Sequence, residues 1–228
     1  MKGIIFDFNG TMFQDSHFHE EAWIHMIRRY SDRQLTDDEI LKQIHGRTND
    51  EILRYFISSD LTNEEIARLS YEKEAYYRNL CQQHPEQLVL TKGLEETLDL
   101  LKYQAVPFTI ATATVKENVV FYFDVFHLAR WFDLNQVVFD DGSFPGKPQP
   151  DIFVKAAAKL HLKPQDCLVI EDAYSGLLAA RRAEIGRIIA IDPQGKNQSL
   201  FEAKEIRKDA LIQDFTNFYT NCFAIASM

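Results

Sequence analysis

Four short apolar runs in this chain each stop at a residue that a hydrophobic core would reject. Gly3-Ile4-Ile5-Phe6 runs into Asp7, and Phe108 to Ala111 runs into Thr112. Gln136 to Phe139 ends in Asp140, and Cys167 to Ile170 ends in Glu171 and Asp172. Continuous apolar runs of this length, closed by polar residues, are the pattern of strands buried on both faces, which is how parallel sheets are built. In an open parallel sheet, ligands bind in the crevice beyond the carboxyl ends of the strands. The pattern therefore predicts four polar tips facing one site, with Asp7 foremost among them.

From about residue 93 onward the strands alternate with helical stripes. Leu94, Leu98 and Leu101 share one helix face; Ile152, Phe153, Ala156, Ala157 and Leu160 share another. Leu168 to Ile170 is then a strand, Ser175 to Ala183 a helix, and Arg187 to Ile191 a further strand before a less regular C-terminal region. This βαβα order predicts an α/β fold with a doubly wound, mostly parallel, Rossmann-like sheet.

Between Gln14 and Leu90 the period changes. No strand pattern occurs there, and Trp23, Met26, Ile27 and Tyr30 recur at i, i+3, i+4 and i+7. Three pairs have the spacing of a capping box: Thr36 with Glu39, Thr48 with Glu51, and Thr62 with Glu65. Four helices are expected in this all-α insert. The predicted organisation is a catalytic core of residues 1–14 and 91–228, with a helical cap of residues 15–90 inserted after the first strand. Hinges near residues 14–17 and 88–93 would tether that cap as a lid.

The 228 residues, 46% of them hydrophobic, can bury a substantial core. A net charge of -9 with no basic stripe argues against nucleic acid and anionic membranes as partners, so an anionic substrate would need a local cationic pocket. Cys81, Cys167 and Cys222 lie far apart without zinc-ligand spacing, and Asp7 interrupts the opening apolar run far short of a signal peptide or membrane span. A cytoplasmic protein, monomeric or weakly dimeric, is expected.

The tips have a chemistry in common. A carboxylate can attack phosphorus when its charge and the phosphate's are both offset, and Mg²⁺, a hard ion that takes oxygen ligands, is the usual means. Asp7 and Asp172 can hold it, the backbone carbonyl of Asn9 adds an oxygen, and Glu171 either ligates directly or orients bound water. Lys147 brings positive charge to phosphoryl oxygens and Thr112 a hydroxyl donor. Thr114, two residues on, could take the place of Thr112.

This set of residues resembles the haloacid dehalogenase superfamily along nearly the whole chain. The resemblance rests on Asp7-Phe8-Asn9-Gly10-Thr11, on Thr112 within Ile110 to Thr114, on Lys147 within Gly146-Lys147-Pro148-Gln149-Pro150-Asp151, and on Glu171-Asp172. Gly146 to Phe153, Glu171 to Gly176 and the cap after the first motif are similar to the β-phosphoglucomutase-like branch. The resemblance implies that Asp7 is the nucleophile and a Mg²⁺ ligand, that Thr112, Ala113 and Lys147 hold phosphate, and that Asp172 completes the metal site beside Glu171. It implies a small phosphorylated metabolite as substrate and an aspartyl-phosphate at Asp7, with phosphatase action first and hexose-phosphate mutase action second. Dehalogenase or phosphonate-type hydrolysis, and a catalytically silent member that binds ligand, are also compatible with it.

In the cap, His19 and Trp23 fit the His-x-x-x-Trp pattern of that branch, and Lys73 falls at a cap lysine position. Arg47 stands near the place of the branch's phosphate-binding arginine, which itself falls at Asn49. His19, Arg47 and Lys73 are therefore candidate substrate contacts. Each has a plainer reading as a packed or solvated helix residue. Phe121-Tyr122-Phe123 reads as core packing.

One position departs from the pattern. The family's phosphatases and mutases carry a second Asp where this chain has Asn9, and an amide neither protonates a leaving group nor activates water. General acid-base catalysis contributes a factor of about 10² to 10⁴. Asn9 can be an adaptation to a substrate needing no such proton, an introduced substitution, or a mark of abandoned catalysis. On the sequence alone, Asn9→Asp is expected to raise turnover of a generic phosphomonoester, and an unchanged rate in a folded variant would remove Asn9 as the limiting feature.

Overall fold

The computed structural model describes residues 1–33, 35–36, 39–40, 43–44, 47–195, 197 and 201–223. Six strands form one sheet in the order β3-β2-β1-β4-β5-β6, with parallel pairing throughout. They are β1 (Gly3–Phe6), β2 (Phe108–Val115), β3 (Val138–Asp140), β4 (Cys167–Glu171), β5 (Arg187–Ile191) and β6 (Ala210–Ile212). The chain starts in the centre and is carried outward first to one side and then to the other, the crossover pattern of a doubly wound sheet.

Alternation along the strands explains why both faces are covered. Ile4, Phe6, Leu168, Ile170, Ile189 and Ile191 face one apolar cluster, and Ile5, Cys167, Val169, Ile188 and Ala190 face the other. Helix α4 (Leu94–Tyr103) packs into the first cluster and α5 (Lys116–Val125) contributes Val119 and Tyr122 to it, while α6 (Asp151–Lys159) and α7 (Tyr174–Arg182) pack into the second. At about 1.5–3 kcal/mol for each large apolar side chain buried, the two layers are the main driving force for the core.

Between β1 and β2 stand α1 (Ser16–Tyr30), α2 (Asn49–Phe56) and α3 (Asn63–Gln83). They enclose their own cluster of Trp23, Met26, Ile27, Ile44, Ile52, Leu53, Phe56 and Leu69. The predicted helix following Thr36 falls partly outside the described residues, although Glu39 Oε2 and Thr36 N–H do make the expected capping bond at 3.1 Å. The other two capping boxes form completely, at the starts of α2 and α3. The two passages joining cap and core are bonded to each other. Thr91 N–H donates to the Met12 carbonyl and Thr91 Oγ1 to the Thr11 carbonyl, both at 2.8 Å, and Phe13 bridges Leu90.

Two details differ from the sequence reading. Strand β2 continues through Thr112 to Val115, because Ala111 to Val115 keep an extended ladder with β3, broken by a register shift. Asp140 pairs opposite Val115, past the crevice, so its carboxylate turns back to accept from Gly142 N–H at 3.0 Å. Only three of the four polar tips therefore converge.

Thr48 caps α2, the helix that begins with the pocket residue Asn49. Thr48→Ala is expected to cost about 1 kcal/mol and to lower the melting temperature by about 2–4 °C in a thermal melt.

Candidate active site

Register decides how the tips meet. Phe6 pairs with both Ile110 and Ile170, so the next residue, Asp7, emerges level with Ala111 and Glu171. The Asp7 N–H donates to the Ile170 carbonyl at 3.0 Å, holding the first residue past β1 against β4. Close approach behind this turn is made possible by Gly10, at φ +78°, where a Cβ would collide with the Asp172 carboxylate. Thr11 Oγ1 donates to Asp172 Oδ1 at 3.3 Å. Gly176, at the start of α7, leaves comparable room for Glu171.

Asp7, Glu171 and Asp172 are all buried and bring ligand-capable oxygens within 4.8 Å of one another. Lys147 lies against them, fully buried. Its Nζ donates to Asp7 Oδ1 at 2.6 Å and also to Glu171 Oε1, while Glu171 Oε2 accepts from Ala173 N–H at 2.7 Å. Three carboxylates against one ammonium give a net of two negative charges out of water, an arrangement that is costly unless a cation compensates it. The cost shows in the acids. Burial, aided by the charge of Glu171, lifts Asp7 to about 7 in spite of Lys147. Burial, Glu171 and Asp7 together raise Asp172 well above the ordinary carboxylate range. Buried oxygen donors with an excess charge of two are the donor set a hard divalent ion requires, so these residues fit Mg²⁺.

Above this floor opens a pocket of about 600 Å³ that reaches solvent and is bounded by Asp7, Asn9, Thr112, Ala113, Glu171 and Asp172 from the core. The cap side contributes His19, Trp23, Arg47, Asn49, Lys73 and Glu74. The structure thus brings the candidate site residues of the sequence together: all but Lys147 line the pocket, and Lys147 joins them through its bonds to Asp7 and Glu171. Thr112 Oγ1 faces inward and donates to Asn9 Oδ1 at 3.1 Å, whereas Thr114 is taken up by Asn118, whose amide donates to Thr114 Oγ1 at 2.8 Å. Arg47 Nε is buried without a hydrogen-bond partner among the described residues, and Nη1 lies 3.6 Å from Glu51 Oε1.

Several polar residues around the candidates, Asp15, Glu74, Tyr77 and Asn118 among them, were not singled out in the sequence. Lys73, 1% exposed, donates to Glu74 Oε1 at 2.9 Å and to His19 Nδ1 at 2.8 Å, with the Trp23 and Tyr77 rings beside it. Burial would raise Glu74, but Lys73, His19 and Asn118 outweigh it and hold this acid at about 2. Burial and the neighbouring Lys73 lower His19 against the pull of Asp15, and burial lowers Lys73 against Glu74. Asp15, at the start of α1, is fully buried and makes no cap to its helix. It contacts Asn9 and Tyr77 instead. A capping Asp before a helix and a Tyr inside an aromatic run carry no sequence signal that distinguishes them from ordinary local roles.

The comparisons with known proteins agree with this geometry. The family model described as haloacid dehalogenase-like hydrolase matches residues 4–190. A β-phosphoglucomutase of Bacillus subtilis (strain 168) is 31% identical over 80% of this chain and 80% of its own length. A phosphorylated carbohydrates phosphatase of Thermotoga maritima is 26% identical over 84% of this chain and 85% of its own. Among solved structures, a hydrolase of family IA, variant 3, from Entamoeba histolytica superposes with a TM-score of 0.80 at 32% identity, covering 94% of both chains. The chain belongs to the haloacid dehalogenase-like hydrolases. Among the described residues no helix is long and apolar enough to cross a membrane.

The raised acids link metal and pH. A carboxyl whose folded pKa lies above its unfolded value contributes stability that is full below about 4 and lost as pH rises through about 7, the value reached by Asp7. A divalent ion competes with that proton. The Mg²⁺-induced rise in melting temperature is therefore expected to be small near pH about 5.5 and several degrees larger near pH about 8. Equal rises at both values in a thermal shift titration would contradict the assignment.

Proposed function

We propose that this protein is a Mg²⁺-dependent phosphohydrolase that acts on a small phosphorylated sugar or polyol through a covalent aspartyl-phosphate at Asp7. The observation that carries this reading is the meeting of Asp7 with Lys147 at 2.6 Å inside a cluster of three buried carboxylates. The names of the relatives support the substrate class: besides the two above, a hexitol phosphatase of Escherichia coli is 27% identical over 88% of this chain.

In this reading Asp7 contributes the attacking oxygen; the bond from phosphorus to the ester oxygen breaks as the bond to the Asp7 carboxylate forms, and the alcohol leaves with a proton taken from water, since Asn9 supplies none. Lys147 gives the phosphoryl oxygens the ammonium hydrogen left over from Asp7 and Glu171, and Thr112 gives its hydroxyl hydrogen on turning away from Asn9 Oδ1, with the backbone beside Ala113 lining the same side. Asp7, Asp172 and the Asn9 carbonyl, with Glu171 alongside, would hold Mg²⁺, whose positive charge would let an anionic nucleophile approach an anionic phosphate. Water then cleaves the acyl phosphate, releasing phosphate and restoring Asp7. His19, Arg47 and Lys73 meet the remainder of the substrate from the cap, residues 15–90, which closes over the core of residues 1–14 and 91–228 and excludes bulk water. Such an enzyme needs neither nucleic acid nor membrane and works in the cytoplasm as a monomer or weak dimer.

For a mutase reading Asn9 acts both ways: without an acid or base at the pocket an aspartyl-phosphate lives longer, and the proton transfers that a mutase requires are impaired. A panel of sugar and polyol monophosphates with Mg²⁺ tests both readings. Phosphate release is expected, and Asp7→Asn is expected to lower it by more than about 10³-fold while leaving the fold intact. Conversion of a sugar 1-phosphate to its 6-phosphate without phosphate release would establish the mutase instead. No turnover and no acid-stable, base-labile phosphoryl label on the protein would overturn the proposal.

A further inference from the structure

Asn9 is held by a closed set of hydrogen bonds. Its Nδ2 donates to Asp15 Oδ2 and to Tyr122 Oη, both at 2.7 Å, which uses both amide hydrogens. Tyr122 donates to Tyr77 Oη at 3.0 Å, and Tyr77 donates to Asp15 Oδ2 at 2.5 Å, closing the ring. Asp15 Oδ1 accepts from Gly10 N–H at 3.1 Å. His19 Nε2 lies 3.2 Å from Asn9 Nδ2 and 3.3 Å from Asp15 Oδ2; because Lys73 donates to Nδ1, the proton of the neutral imidazole is on Nε2, and Asp15 is the acceptor beside it.

The rings around this set are packed in place. Tyr122 stacks on Phe8 with centroids 4.2 Å apart, and Tyr77 stacks on His19 at 3.8 Å. The orientation of the Asn9 side chain is thereby dictated: nitrogen toward Asp15 and Tyr122, oxygen toward Thr112. A carboxylate at position 9 would set an oxygen against Asp15 Oδ2, with which it would have to share the one His19 Nε2 hydrogen, and against a tyrosine hydroxyl whose hydrogen is already given to Tyr77. Lys73 is paired with Glu74 and is bonded to Asp15 only through His19, so it relieves that repulsion only in part.

Resting on the phosphohydrolase reading, we propose that Asp15 is a positioning residue that acts through Asn9. Positions 9 and 15 form a pair that carries one negative charge, with the carboxylate on 15 and the amide on 9. Asn9 is then a built component of this site, which orients the Thr112 hydroxyl, and the carboxyl group has been moved one contact away from the pocket. Consequently Asn9→Asp alone impairs the protein, opposite to the expectation from sequence. Exchanging the two residues relieves the conflict, because the tyrosine pair can reverse: Tyr77 donates to Tyr122, and Tyr122 to the carboxylate now at 9.

Four proteins test this: the natural chain, Asn9→Asp, Asp15→Asn and the double variant Asn9→Asp/Asp15→Asn. Melting temperatures and Mg²⁺-dependent turnover of para-nitrophenyl phosphate are measured at one pH. Asn9→Asp is expected to lower the melting temperature by more than about 5 °C and to lower kcat. Introduced into Asp15→Asn, the same substitution is expected to raise both, with kcat of the double variant about tenfold or more above that of Asn9→Asp and KM within about twofold. A merely structural role for Asp15 gives Asn9→Asp the same effect in both backgrounds, and that result overturns the proposal. Should the variants at 15 fail to fold, Asn9→Asp is compared with Asn9→Ala in the natural background. Repulsion makes the Asp variant the less stable of the two; equal or greater stability overturns the pair. The melting temperatures do not depend on turnover, so absence of activity in all four proteins would count against the phosphohydrolase reading alone.

Discussion

Burial of one ammonium among three carboxylates is the constraint from which the rest of this structure follows. Lys147 has no exposed surface, and its two partners, Asp7 and Glu171, come from adjacent strands of the sheet. Such a cluster persists only if its geometry is excellent and each remaining polar atom is occupied. The sheet meets the first condition, since two ladders fix Asp7 level with Glu171. Local chain meets the second: the Ala173 N–H serves Glu171 and the Thr11 hydroxyl serves Asp172. Two glycines, Gly10 and Gly176, give the acids the room they occupy.

The cap repeats the same logic with different residues. Lys73 and Glu74 are adjacent in α3 and nearly unexposed, and they are tolerated because His19, Asn49 and Asn118 complete their hydrogen bonds. Those partners come from α1, α2 and the core helix α5, so the network also ties the cap to the core above the pocket. Asp15 and Asn9 extend it downward to Thr112. From Lys73 and Glu74 down to Asn9 and Thr112, the polar groups above the metal-binding acids therefore form one buried system whose net charge is set residue by residue.

Legibility in the sequence followed the range of the interactions. Strand β1, helices α4, α6 and α7, strand β5 and two capping boxes are specified by neighbours within a few residues, and the sequence pattern located them closely. The pocket residues Asp7, Thr112, Glu171 and Asp172 were visible because a polar residue closing a buried strand has few other uses, and Asn9 and Ala113 through the family motifs in which they stand. His19, Arg47 and Lys73 were legible only as candidates, since a helix charge looks the same whether it faces a pocket or water. Asp15 and Tyr122 were not legible at all. The first has the type and position of an ordinary helix cap, and the second belongs to an aromatic run that does pack in the core, with only its hydroxyl reaching the site.

By itself the sequence determined the doubly wound sheet, the helical insert and the line of polar residues at the strand ends, because these depend on hydrophobic period and on turn chemistry, both local properties. Only the tertiary structure decided that Asp140 lies outside the crevice, that Lys147 is buried against the carboxylates, and that Asn9 is matched to Asp15. Each of these depends on strand register or on contacts between distant segments. Charge complementarity between such segments is a property of distances in space, and the order of residues along the chain does not contain them.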